Sequence, residues 1–205
     1  MIRKYLTILF FIFFSQNIYA YNYEYKSDGA SINLKFDGKK ISEIKFEFVK
    51  ENQKHFGIIN YNNEEINIIL NTNNINFDDF KKFFPKPQKN KKLKKRINFT
   101  WEISELFISD DYSLFSNKLN FTYDNGFELL TFYDSKKDFE LSILPNLSGD
   151  KQLYLSSRNA GQFFYAQKIT KNMIGGALIG KGNFRSFDDY DLTIKVKDFS
   201  VNKES

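Results

Sequence analysis

"GGALIGKG", residues 175–182, decides between two folds. It meets the phosphate-loop pattern G-x-x-x-x-G-K-[ST] at Gly175, Gly180 and Lys181, then fails at Gly182, which stands where a magnesium-binding hydroxyl belongs. A phosphate loop follows a strand and opens a helix, whose first amides hold the phosphates. Here the order is reversed. A helical pattern, "NAGQFFYAQKIT" (159–170), precedes the glycines, and an alternating run, "YDLTIKVKDFSV" (190–201), follows them. The stretch therefore reads as a glycine-rich strand, in which glycines mark close backbone packing or a bend. No nucleotide is expected.

Working outward, period-two alternation dominates the chain. "SINLKF" (31–36) and "EIKFEF" (43–48) flank Asp37-Gly38, a hairpin signal, and "HFGIINY" (55–61) and "EEINIIL" (64–70) meet across Asn62-Asn63. "INFTWEI" (97–103), "KLNFTY" (118–123), "FELLTFY" (127–133), "DFELSIL" (138–144) and "QLYLSS" (152–157) continue the rhythm. Ser104-Glu105 interrupts the phase, which predicts a β-bulge. Two stretches are helical instead. "NFDDFKKFFP" (76–85) spaces Phe77, Phe80, Phe83 and Phe84 along one face and stops at Pro85, and Asn159 caps the second helix. The expected fold is mainly β: a curved antiparallel sheet of roughly eleven strands, forming a groove or a β-taco, or closed like a sandwich, with two short helices.

Composition narrows the chemistry. The 205 residues suffice for one substantial domain or two small ones, and 24 Phe and 12 Tyr against three Pro favour strands. There is no cysteine, hence no disulfide and no thiolate metal site, and the single histidine, His55, reads as a surface residue near a turn. His-based triads and multi-histidine metal sites are thereby disfavoured, so neither an enzyme nor a cofactor is expected. Short acidic clusters, Asp78-Asp79 and Asp188-Asp189 with Asp191, read as helix caps and hairpin ends rather than calcium ligands.

The first residues form a secretory leader: "MIRKY", then "LTILFFIFF", then "SQNIYA" with Ala20 at the cut. The apolar core is shorter than the about 20 residues that span a bilayer. Export to the periplasm is expected, with an uncleaved inner-membrane anchor as the alternative. The formal charge of +5 is owed to Arg3, Lys4 and the seven positive residues of "KPQKNKKLKKR" (86–96), and the remainder is mildly acidic. The expected layout is a signal peptide over 1–20, an N-terminal β meander with a short helix over 21–84, a basic linker over 85–96 and a β module over 97–205. Lys91, Lys92, Lys94, Lys95 and Arg96 either dock on anionic head groups or form a solvated linker. An exported chain with an acidic body makes nucleic acid an improbable partner.

The C-terminal residues carry a resemblance. A strand ends in "SSR", a helix opens on Asn159, Ala160 and Gly161, a strand follows with Gly175, Gly176, Leu178 and Gly182, and the last strand ends in Asp198, Phe199 and Val201. With "NNINFDDFKKFF" and "INFTWEISELFI" upstream, the arrangement over residues 66–201 resembles the C-terminal region of AsmA-like proteins of the YhdP group. The resemblance implies a bacterial envelope protein with a sheet curled into an apolar groove, involved in moving phospholipid between membranes and in outer-membrane integrity. Phe99, Trp101, Ile103, Leu119, Phe121, Phe139, Leu141 and Ile143 are the candidates to line that groove. Phospholipid or a membrane surface, and longer envelope proteins, are the implied partners. The relatives are several times longer and begin with a membrane anchor, so the alternatives are a structural envelope protein with a sealed β core, or a remnant of a split protein.

Overall fold

The structure is a computed structural model and describes residues 22–27, 29–50, 53–62, 64–82, 95–124, 127–186 and 189–202. The expected leader over 1–20, and Lys91, Lys92 and Lys94 of the basic run, lie outside the described residues. The chain forms one large, curved, unclosed sheet of 13 strands with two short helices. The first half contributes β1 (Tyr23–Ser27), β2 (Ala30–Asp37), β3 (Lys40–Lys50), β4 (Gln53–Tyr61) and β5 (Glu65–Asn76), followed by α1 (Phe77–Lys82). The second half contributes β6 (Arg96–Ser109), β7 (Tyr112–Tyr123), β8 (Phe127–Tyr133), β9 (Phe139–Pro145) and β10 (Lys151–Ser157), then α2 (Ala160–Ala166). It ends with β11 (Met173–Ser186), β12 (Asp189–Tyr190) and β13 (Thr193–Val201). Strands β1 to β12 lie side by side in chain order, and β13 shares β11's outer flank with β12. Among the described residues no helix is long and apolar enough to cross a membrane.

One joint departs from the antiparallel expectation. β5 and β6 pair in parallel, from Glu65 opposite Arg96 to Asn76 opposite Phe107. A parallel neighbour requires the chain to travel back along the sheet, normally over a dozen residues or more. Here α1 lies in the segment that connects the two strands. The pattern-poor segment thus joins two antiparallel ribbons, β1–β5 and β6–β13, into a single sheet.

Alternation puts apolar side chains on one face, and the registers align them into rows. One row runs Leu34, Ile44, Ile59 and Ile68, then Phe99 and Phe121, then Leu130, Ile143 and Leu153. A second runs Leu70, Trp101, Leu119, Phe132, Leu141 and Leu155. The opposite face carries hydrogen-bonded polar side chains: Thr100 Oγ1 donates to Asn120 Oδ1 at 3.1 Å and Asn98 Nδ2 to Asn67 Oδ1 at 3.0 Å. Asn98 and Asn120, first residues of two N-x-T tripeptides, are accounted for by this ladder.

The interruption at Ser104 is not a bulge. A bulge adds a residue to one strand and shifts the register beyond it. On both sides of Ser104 the registers against β5 and β7 are unchanged; instead Asn73, Ser104 and Ser116 all drop out of the pairing together. Ser116 takes a left-handed φ of 51°. Each strand changes phase at the same level, so Thr72 and Ile75, Ile103 and Leu106, and Leu114 and Asn117 all remain buried. The result is a crease across three strands.

Both helices sit on the apolar face. α1 is capped by Asn76, whose Oδ1 accepts from the Asp79 amide at 2.7 Å while its Nδ2 donates to Asp79 Oδ2 at 2.8 Å. α2 is capped by Asn159, whose Oδ1 accepts from Gln162 N at 3.1 Å, as expected from sequence. Gln162 also accepts from Ser109 Oγ at 2.9 Å, linking α2 to the end of β6. Phe127 of β8 and Phe184 of β11 meet at 5.7 Å between ring centroids. Those strands are three positions apart, about 14 Å on a flat sheet, so contact between their rings reports the curl.

Candidate functional site

The eight predicted groove residues share one face of β6, β7 and β9, and they divide into two groups. Trp101, Ile103, Leu119 and Ile143 are no more than 3% exposed, covered by the chain itself. Phe80 of α1 packs at a tilt against Trp101, 5.3 Å between ring centroids, and against Phe132 at 5.5 Å. Phe99, Phe121, Phe139 and Leu141 are half-buried around that core. Phe99 and Phe121 stack at 4.7 Å, and Phe121 continues to Phe127 at 6.4 Å. The apolar face is therefore partly filled by α1, not sealed along its length.

Between the helices a slot of about 300 Å³ remains open. Phe77 and Phe80 of α1 form one side, Phe163 and Ala166 of α2 the other, and Leu119, Leu141 and Leu155 lie on the sheet. A wider vestibule of about 1070 Å³ lies beside it, bounded by residues 76–79, 107–110 and 165–172. Phe77, Ile108 and Ala166 line both spaces, so the two lie side by side across these residues. The slot falls at the small end of the about 300–1,000 Å³ usual for ligand pockets. Its lining suits hydrocarbon. Tyr112, at its wall, has its hydroxyl pKa pushed up to about 12, first by burial and then by the nearby carboxylates of Asp138 and Asp134.

Polar groups on this face are held in place by one another. Trp101 Nε1 donates to Thr72 Oγ1 at 2.8 Å, and Thr72 Oγ1 lies 3.1 Å from His55 Nδ1. His55 is 2% exposed and stacks on Phe48 at 4.5 Å, which corrects its reading as a surface residue. The alternation of "HFGIINY" puts it inward with Gly57 and Ile59, and the Thr72 hydroxyl satisfies the ring nitrogen. Asn117 Nδ2 donates to the carbonyls of Leu114 and Ile103, at the crease.

The glycine-rich run occupies β11, and its geometry explains its composition. The Asp191 carbonyl lies where a Cβ on Gly182 would stand, so a hydroxyl-bearing residue cannot be accommodated there without moving the backbone. Lys181 points to the outer face, over the Tyr154 ring at 6.0 Å. Gly175 and Gly176 take φ of 64° and 83° where β11 meets β13. Leu178 and Ala160, both 0% exposed, form a small second core with Leu155 beneath α2. Gly161 lets the helix rest directly on the Met173 carbonyl. These residues shape the wall of the slot through α2.

Of the basic run, Lys95 Nζ donates to the Asn62 carbonyl at 2.6 Å, and Arg96 opens β6 with an ion pair to Glu128 at 3.3 Å. Both serve the sheet. Asp189 and Asp191 hold Arg185, at 2.8 and 3.4 Å, and both carboxyls are held below the ordinary range, Asp189 first by Arg185 and Asp191 first by the Asn183 amide. Among the described residues no group of three His, Asp or Glu side chains is placed to hold a metal.

No family model, curated protein or solved structure matches this chain.

Of the eight predicted groove residues Leu119, Phe139 and Leu141 line the slot, whereas Phe99, Trp101, Ile103, Phe121 and Ile143 do not, and the side formed by α1 and α2 was not predicted. The helical spacing of Phe77 and Phe80 was visible; that these rings would settle on Trp101 and Phe132 depends on the parallel return of the chain. Ala166 gives no signal in sequence, because its importance is that it is small where the two spaces lie side by side.

Proposed function

We propose that this protein is a non-catalytic lipid-holding module of the bacterial envelope, which takes acyl chains on the apolar face of its curved sheet and contributes to phospholipid movement or outer-membrane integrity. The observation that carries the reading is the slot between α1 and α2, an apolar space that continues the inner rows of the sheet and lies beside the vestibule. An apolar cavity with an open mouth favours an amphiphile over a wholly polar ligand. The leader and the resemblance to AsmA-like proteins support an envelope location. Lys91, Lys92 and Lys94 stand in the chain between α1 and β6, and their charge would attract an anionic membrane surface.

The test is native mass spectrometry and lipid extraction of the protein purified from a bacterial envelope fraction, with flotation on vesicles with and without anionic lipid. Co-purifying acyl lipid, and flotation that needs anionic lipid, are expected. A lipid-free protein that excludes hydrophobic dye would overturn the proposal. It would leave the second reading, a structural envelope protein, which is favoured by the near-complete burial of Trp101, Ile103 and Leu119 by the chain's own residues.

A further inference from the structure

The vestibule is not uniformly polar. Its acidic residues, Asp78, Asp79 and Asp110, come from α1 and the β6–β7 turn, whereas its basic residues, Lys168 and Lys171, come from the segment that follows α2. The two signs therefore stand on different walls of one space. Phe77, Ile108 and Ala166 line both this space and the apolar slot. A methylene occupies about as much room as a liquid water molecule, about 30 Å³, so the slot holds on the order of ten methylenes, enough for one chain of that length and short of two.

Resting on the lipid-holding reading above, we propose that the slot and vestibule together form a site for a single-chain zwitterionic amphiphile of the lysophospholipid class. Its acyl chain passes Ala166 into the slot. Its phosphate lies against Lys168 and Lys171, and its ammonium lies against the carboxylates of α1 and the turn. A fatty acid satisfies only the basic wall, and a sugar-headed detergent satisfies neither charge. A two-chain phospholipid leaves one chain outside.

The experiment titrates the delipidated full chain calorimetrically with a lysophosphatidylethanolamine, the fatty acid of equal chain length and an alkyl glucoside of equal chain length. The lysophospholipid is expected to bind with a Kd about tenfold or more below that of the other two. Ala166→Phe places a larger side chain where the two spaces adjoin and is expected to weaken it by about tenfold or more, with circular dichroism confirming the fold. The surface double variant K168E/K171E, which alters no buried contact, is expected to bring the lysophospholipid to the affinity of the glucoside while leaving the glucoside unchanged. Equal affinity for all three amphiphiles, or wild-type binding by a folded Ala166→Phe, overturns this site but leaves the acyl chain on the Phe99–Phe121–Phe127 stretch of the sheet. Failure of all three to bind the wild-type chain overturns the lipid-holding reading itself.

Discussion

Gly182 shows how a single residue is fixed by its neighbour. The strand β11 passes so close to Asp191 that a methyl group on residue 182 collides with a backbone carbonyl, which cannot swing aside as a side chain can. Gly182→Ala is expected to cost about 1–3 kcal/mol through the forced backbone shift. In a chain of this length each kcal/mol lowers Tm by about 2–4 °C, so a thermal scan measures it directly. An unchanged Tm would mean that β12 and its connection to β13 move freely. That the motif is not a phosphate loop was legible in the order of patterns around it; the carbonyl that excludes the side chain was not, because it arrives from the following turn. His55 teaches the opposite lesson. A lone histidine beside a loop looks solvated, and only the cross-strand pairing with Thr72 and Phe48 reveals that it packs inside.

At the scale of elements, α2 depends on its ends. Asn159 supplies the missing acceptor at its start, and Asn159→Ala is expected to lose about 1 kcal/mol, read as a denaturation midpoint shift. The other end closes with the Ile169 amide donating to the Phe164 carbonyl at 2.9 Å and Lys168 N to the Tyr165 carbonyl at 2.9 Å. Lys168 sits at the left-handed position of this motif, φ 58°, where glycine is the usual occupant. Lys168→Gly is expected to relieve that backbone and to be neutral or stabilising by up to about 1 kcal/mol, whereas Lys168→Val is expected to destabilise. The start of α2 was readable because asparagine before an apolar period is a local signal, whereas α1 was read from its phenylalanine spacing and its cap at Asn76 was not predicted. The crease was half readable. The phase break at Ser104 is visible in one strand, yet its partners Asn73 and Ser116 are polar residues in polar surroundings, and their coincidence exists only once three strands are aligned.

At the scale of the whole molecule, alkaline pH probes the burial of tyrosine. Tyr61 and Tyr112 have pKa values raised from 10.0 to about 12, Tyr61 by burial and Tyr112 by burial first and then by two carboxylates. Below pH 10 both hydroxyls stay protonated whether the chain is folded or not. Between pH 10 and about 12 the unfolded chain releases protons that the folded chain retains, so stability falls as pH rises through that window. Denaturant melts from pH 9 to 12 are expected to show this decline, and Tyr61→Phe with Tyr112→Phe to flatten it; an unchanged slope would place the loss elsewhere. The curved sheet, its two helices and the shared apolar face of β6, β7 and β9 were legible because alternation over many residues is a strong signal. The parallel joint was not, since direction is set by the path of a segment with no pattern of its own.

That joint makes the molecule divisible. Among the described residues every other strand pairing lies within one of the two ribbons, and eleven residue pairs along β5 and β6, with Phe80 packed on Trp101 and Phe132, carry the union between them. Severing the backbone among residues 86–94 leaves every strand of the described residues intact, and converts a tethered association into one between separate polypeptides, at an entropic cost of several kcal/mol. Co-expressed halves are expected to copurify as a complex, whereas a cut inside β8, which separates neighbours joined on both sides, is expected to yield insoluble pieces. A gene encoding such a protein could thus be divided at this point, or the halves exchanged between homologues, without the sheet losing its continuity.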